Sequence, residues 1–305
     1  MAVTKRELMN DKIAATVGEA FPFEVAKMPL FGPDNHRTPH FGLCRDDRTG
    51  EDAWCRVTVK KNYVPHSTED VKHIASAAAY GFDVPLDEVD VSCSWRDGKG
   101  HRVSIKPSKA HRRNIYGKAD NIFPQFIVSA DYGGSLKADC GMFRDACKNM
   151  QMIRKVEGSS IRLCHTKDFR ENFDATVSDF LHLAAKYDSV VEASRMLASR
   201  RVAMADFISE LYPVDESDTK GKKTRNVKKV QSIITRLLRE RESLGDQVGN
   251  DLKSVSLWEA VNAVTGYVQH DKRSSRNLGT DAESFLAVED KESDAAWNLA
   301  FAMAS

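Results

Sequence analysis

Residues 89–107 read VDVSCSWRDGKGHRVSIKP. Apolar and polar side chains alternate on both sides of Asp97-Gly98, the two-residue period of strands with one buried face. An Asp-Gly pair between two such runs favours a tight turn. The stretch therefore predicts an antiparallel hairpin, and that hairpin sets the fold class of the first half.

Upstream, FGLCRDD (41–47), a turn at Arg48-Thr49-Gly50 and AWCRVTVKKNYVPH (53–66) predict a second hairpin. In it Trp54, Arg56, Thr58 and Lys60 alternate with Cys55, Val57 and Val59. Ser67 or Thr68 is placed to cap a helix carrying Glu69 and Asp70 in its first turn, rich in alanine to Tyr80 and stopped by Gly81. An amphipathic helix is expected from about Lys5 to Glu19, and the Pro/Gly-rich passage Pro22–Pro39 reads as a linker. Downstream, FPQFIVSA (123–130) predicts a strand meeting a turn at Asp131–Gly134. A strand or short helix through FRDACKNMQMI (143–153) and a strand at SSIRLCH (159–165) follow.

The period changes in the second half. Apolar residues recur at helical spacing from Phe169 to Tyr212, giving two or three helices, the last ended by Pro213. DESDTKGKKTR (215–225) reads as an exposed loop, Val227 to about Glu242 as a basic helix, and SLWEAVNAVTGYVQH (256–270) as a further helix. The expected class is α+β: mostly antiparallel sheet with packed helices first, helices second. The division is 1–39 (helix and linker), 40–212 (core), 213–226 (flexible basic loop) and 227–305 (helical, with an acidic tail).

Of the 305 residues, 41% are hydrophobic and 29% charged, ample for a sizeable core, and no apolar stretch is long enough for a membrane span. The first residues lack the apolar run of a signal peptide. The six cysteines form no C-x-x-C pair and read as free thiols of a reducing compartment; zinc at Cys140, Cys147, Cys164 or His165 is the lesser reading. The expected location is the cytoplasm of a bacterial host.

No phosphate-binding glycine loop, nucleophile elbow or H-E-x-x-H is present. The chain is read as non-catalytic, without a cofactor or a metal. A metal-dependent nuclease built on Asp46, Asp47, Asp131 and His165 is the enzyme alternative, and a structural role is the plainer reading of His165.

The net charge of +1 conceals segregation. Residues 96–118 hold eight Lys/Arg against one Asp, residues 220–241 hold nine against one Glu, and the tail from Asp281 is acidic. Such fields act locally on polyanions. Arg96, Lys99, Arg102, Lys106, Lys109, Arg112 and Arg113 are the candidate phosphate contacts. Lys222, Lys223 and Arg225 form a candidate electrostatic arm. Trp95, Tyr116, Phe123 and Tyr63 are the nearby rings, and basic grooves with stacking rings suit single strands.

Three passages carry a resemblance: DRTGEDAWCRVTVKKNYVPH (47–66); DYGGS, ACKNMQM and SSIRLCHT between 131 and 166; and a late W-x-x-x-N-A-V-T-x-Y-x-x-H, here Trp258, Asn262, Ala263, Val264, Thr265, Tyr267 and His270. On these the chain resembles the phage/plasmid-like protein family. In the second passage Asn149 stands one residue past Lys148, and Tyr132 interrupts the usual Asp-Gly turn. The order of elements is similar to the core of the Rad-fifty-two-like, Rad/Erf-type single-strand annealing proteins. That resemblance implies a homo-oligomeric ring or filament binding single-stranded DNA in a basic groove, with Lys60 and Lys61 added as phosphate contacts and Tyr63 as a stacking ring. A mobile-element factor that binds another phage or host protein is the alternative.

Overall fold

The structure is a computed structural model. It describes residues 11–82, 84–96, 100–117, 119–145, 151–155, 161–169, 171–173, 183–213, 220–244, 251–272 and 291–305; side chains at 86, 151–155, 184–185 and 220–225 are not described. The chain divides into two compact units. The first comprises Met1–His111, Pro124–Cys140 and Val156–Lys186, and the second Arg112–Phe123, Gly141–Lys155 and Tyr187–Ser305.

The first unit opens with helix α1 (Asp11–Ala20), then β1 (Val25–Phe31), β2 (Arg37–Arg45) and β3 (Trp54–Lys60), an antiparallel sheet in the order β1-β2-β3. The passage expected as a linker is thus partly strand. Pro29 is compatible with β1 because β1 is an edge strand, and a turn with Asn35 at φ +59° returns the chain to β2. Exposure along β3 follows the predicted alternation, with Cys55 and Val59 buried. The strand bulges: Gly42 faces Thr58 but Cys44 faces Trp54, and Arg56 takes the left-handed φ of +50°. The Trp54 ring lies on Gly42, where a Cβ would stand 2.1 Å from it, so only glycine fits.

Helix α2 (Thr68–Tyr80) begins at a capping box in which Ser67 and Asp70 satisfy each other's backbone N–H groups, and Gly81 is its C-cap. The predicted hairpin follows as β4 (Val89–Arg96) and β5 (Gly100–Pro107), paired from Val89↔Pro107 to Arg96↔Gly100. The turn itself, with Asp97, Gly98 and Lys99, lies outside the described residues. Strands β6 (Arg113–Tyr116), β7 (Asp120–Asp131), β8 (Ser135–Arg144), β9 (Gln151–Lys155) and β10 (Ile161–Cys164) complete the sheet strands of this half. In the first unit the order is β10-β8-β7-β5-β4, with β10–β8, β7–β5 and β5–β4 antiparallel. Helix α1 packs on α2 and β4, and α2 on β5. Ile13, Val17, Val71, Ile74, Val103, Ile105 and Val128 fill the core, while Arg102, Ser104 and Lys106 stand half-buried on the other face of β5.

In the second unit β6 pairs with residues 120–122 and β9 with residues 141–144. Among the described residues the helices of the second half of the chain are α3 (Leu183–Ser199), α4 (Met204–Leu211), α5 (Lys220–Ser243), α6 (Leu257–Gly266) and α7 (Lys291–Ala304). A two-residue bridge of β11 (Arg201–Val202) and β12 (Val255–Ser256) joins the segments before α4 and α6. Helix α5 starts at Lys220, earlier than expected. Lys220–Asn226, placed in a flexible loop on polarity alone, are helical; lysine and arginine are good helix formers that polarity arguments undervalue. Residues 174–182, 214–219 and 273–290, to which other expected helix, loop and tail segments belong, are not described. The class is α+β with a helical second half.

The late motif is structural. Trp258, Asn262 and Thr265 are fully buried, and Ser256 and Glu259 form a capping box at the start of their helix. The indole of Trp258 donates to Asp120 Oδ2 at 2.7 Å, and Asn262 donates to the Trp258 carbonyl at 2.7 Å. Arg144 lies between Asp120 (2.6 and 2.9 Å) and Glu240 (2.5 Å), all three buried. A π-helical turn, Tyr267–Asp271, ends this stretch. Among the described residues no helix is long and apolar enough to cross a membrane.

Candidate functional site

Four consecutive residues of β3, Val57 to Lys60, border a cavity of about 600 Å³ in the first unit. Successive strand residues point to opposite faces, so the cavity lies against the strand's margin, which among the described residues has no neighbouring strand. Asn62 and Tyr63 continue this wall. The opposite side is made by Tyr132 and Gly133 at the β7–β8 turn and by His165 to Asp168 after β10.

Hydrogen bonds fix these walls. Lys27 Nζ donates to the carbonyls of Lys61 (2.8 Å) and Tyr63 (2.9 Å), holding the chain just past β3. The Tyr63 hydroxyl donates to the Tyr132 carbonyl at 2.5 Å, and the Val64 amide to the His165 carbonyl at 3.1 Å. The His165 ring sits with Nδ1 3.1 Å from the Val64 carbonyl and Nε2 3.3 Å from the Asp131 carbonyl. Its centroid is 4.8 Å from that of Tyr63, 5.1 Å from His66 and 5.2 Å from Phe169. Deeper still, His66 stacks on Tyr132 at 4.1 Å and its Nε2 meets His101 Nδ1 at 2.9 Å.

The floor of the cavity is therefore aromatic, and its rim is polar. Lys60, Thr58, Asn62, Thr166, Lys167 and Asp168 are all exposed. Burial pushes the Tyr63 and Tyr132 phenols well above their ordinary range. Burial also lowers His165 below the usual histidine value, against the two carbonyl contacts and Asp70, which act upward. For His101, burial first and then Arg45 bring the value down to about 3. These groups are neutral near pH 7, and the rim lysines supply the positive charge facing solvent.

The structure brings together Lys60 and Tyr63 of the expected contacts, with Lys61 exposed beside them. Arg96 is exposed at the end of edge strand β4. Arg102 and Lys106 share a face with Ser104, and Lys106 lies directly across the ladder from Asp90. Lys109 is exposed on a short turn, Lys109–His111. Arg112 is a correction to the picture of an open cation: it pairs with Asp145, lies 4.3 Å over the Phe123 ring, and its side chain is 7% exposed. Arg113 is 49% exposed and 3.4 Å from Asp188. Lys99 lies outside the described residues, and Lys222, Lys223 and Arg225 are helical with undescribed side chains.

Among the expected rings, Phe123 is buried, the Trp95 ring packs on Phe23 and His101, and Tyr116 accepts a hydrogen bond from Arg201. Tyr63 alone of the four lines the cavity. Charge and period do not single out Lys167, Thr166 or Gly133, yet Gly133, His165 and Thr166 of the second resembling passage line the cavity, and the first passage supplies the β3 wall. Spacing alone gave no signal for Lys167.

Asp46 accepts from the Glu24 amide and Asp47 holds Arg45 in an ion pair. Asp131 meets His165 through its backbone carbonyl. Among the described residues no group of three or more His, Cys, Asp or Glu is placed to hold a metal. The five described cysteines form no disulfide; Cys55 and Cys140 are buried and Cys164 is exposed. A second cavity of about 830 Å³, between α4 and the first half of α5, is lined by Met204, Ile208, Val227, Val230 and Ile234 and is largely apolar.

A family model described as Domain of unknown function (DUF932) matches residues 57–297. No curated protein and no solved structure matches the chain.

Proposed function

The chain belongs to the DUF932 family, and from that premise we propose that it binds single-stranded DNA through backbone phosphates, without catalysing a reaction. The supporting observation is that Lys60 and Lys167 stand on the rim of one cavity whose floor carries Tyr63 and His165. Cations at an edge and rings beneath are what a phosphate and an adjoining base require. Lys61, Arg96, Arg102 and Lys106 extend the basic surface of the same unit.

In the fuller form of the reading, copies of the chain assemble into a ring or filament, and the bound strand is annealed to its complement in the recombination or replication of a phage or plasmid. A peptide adding to β3 as a further strand is the competing occupant. The bulge at Arg56 works against it, because a strand that kinks into the left-handed region offers a broken ladder.

The test is the salt dependence of binding to a fluorescent oligothymidylate. Lys60→Glu with Lys167→Glu is expected to weaken binding and to lower the slope of log K against log salt by about 1.4, about 0.7 for each lost phosphate contact. Unchanged affinity and slope in this variant would remove the cavity from the interface.

A further inference from the structure

We infer that this cavity is a proton-coupled phosphate site in which His165 takes up a proton as the anion binds; the identity of the ligand rests on the reading just given. The geometry that carries it is the placement of both ring nitrogens against carbonyl oxygens, Val64 on one side at 3.1 Å and Asp131 on the other at 3.3 Å. A neutral imidazole has one N–H, so it donates to one of these carbonyls and turns a lone pair toward the other. An imidazolium has two N–H groups and satisfies both.

The two carbonyls belong to different walls. Val64 lies in the segment after β3, and Asp131 ends β7 beside the Tyr132-Gly133 turn. The doubly protonated ring therefore ties both walls of the cavity, and the neutral ring ties one. The protonated form also adds a positive charge beneath the rim lysines, where a phosphate would feel it at short range and in partly desolvated surroundings.

Burial opposes this protonation and leaves the ring neutral near pH 7. The titratable groups facing the ring are Tyr63 and His66 from the segment after β3, Asp70 from α2, Tyr132 from the turn, and Lys167 and Asp168 from its own segment. The phenols stay neutral and Asp70 favours the cation. Lys167, with Lys60 across the cavity, disfavours it until an anion neutralises them. Binding and protonation are linked, and linkage is reciprocal: an anion that raises the proton affinity of His165 binds more tightly where His165 is protonated.

The experiment is calorimetric titration of the full chain with an oligothymidylate, in buffers of different ionisation enthalpy, repeated across pH. The expected result is net proton uptake near neutrality and about a ten-fold gain in affinity between pH 8 and pH 6, a range in which histidine is the side chain that ordinarily titrates. His165→Gln keeps one donor and one acceptor but takes no proton, so it is expected to bind with little pH dependence. Binding without uptake, or the same uptake in His165→Gln, overturns this inference and leaves the binding reading standing. No binding of the oligonucleotide at any pH overturns both. Should the variant fail to fold, the His165 ring signal of the unsubstituted chain decides by NMR: its midpoint must rise on adding the oligonucleotide, and an unmoved midpoint overturns the inference.

Discussion

Trp258 and Asp120, 138 residues apart in the chain, are joined by a 2.7 Å hydrogen bond in a fully buried setting. The same carboxylate grips Arg144 with both oxygens, and Arg144 reaches on to Glu240. Desolvation raises the Glu240 carboxyl, with Arg144 acting against it. This arrangement satisfies buried charges by geometry, not by solvent.

Arg144→Met keeps the volume but leaves Asp120 and Glu240 facing one another without their cation. Breaking a buried pair in this way costs about 3–5 kcal/mol. Urea unfolding should show a loss of that order. Trp258→Phe, which removes one donor from Asp120, should cost about 1–3 kcal/mol.

Gly266 ends α6 where that helix approaches α5. A Cβ there would stand 3.0 Å from Glu240 Oε1 and 3.2 Å from Arg236 Nε. Gly266→Ala is expected to lower stability by about 1–3 kcal/mol through overpacking, despite alanine's better helix propensity. An unchanged denaturation midpoint would mean that the two side chains shift without cost.

His101 is buried and its proton affinity is brought down to about 3. The unfolded chain binds the proton from about pH 6.5 downward. This contribution to stability is therefore complete above that pH and declines as pH falls toward the folded value. Between pH 7.5 and pH 5 the expected loss is about 2 kcal/mol, on the linkage slope of one proton. Chemical denaturation at the two pH values, with His101→Phe as the comparison, measures it.

Arg112 and Arg113 are adjacent but not equivalent. Arg112→Ala removes a covered ion pair and a cation over Phe123, and should cost about 1–3 kcal/mol of stability. Arg113→Ala removes a half-exposed cation and should stay within about 0.5 kcal/mol of the parent. Thermal unfolding of the two variants separates them, and equal losses would contradict the packing described for Arg112.

The elements that the chain declares early are those whose pattern is local. The β4–β5 hairpin shows its two-residue alternation, and α2 its Ser67 cap, acidic first turn and Gly81 stop. The strands β1 and β8 are less visible. Pro29 disguises the first, and Cys140, Met142 and Phe143 lie in a run with little alternation, as befits a strand buried on both faces. In the candidate site, Lys60 and Tyr63 are readable because they adjoin a strand with a clear period. Lys167 and the carbonyls of Val64 and Asp131 are not, because their meeting at His165 depends on contacts 101 and 34 residues apart in the chain. The basic composition of 96–113 likewise says nothing of Asp145, which turns Arg112 inward.

The three-stranded sheet has two margins, and neither is a good template. On β3 the ladder breaks at Arg56; on β1 it carries Pro29, which brings no N–H, and a shift of register before Phe31. Copies crowded together in a cell are thereby hindered from polymerising strand upon strand, although Met28 and Phe31 are open to water. Self-association, where it occurs through this sheet, is left to the shapes of side-chain surfaces. Such surfaces can close an assembly at a definite number of copies, whereas continued backbone pairing has no natural stopping point.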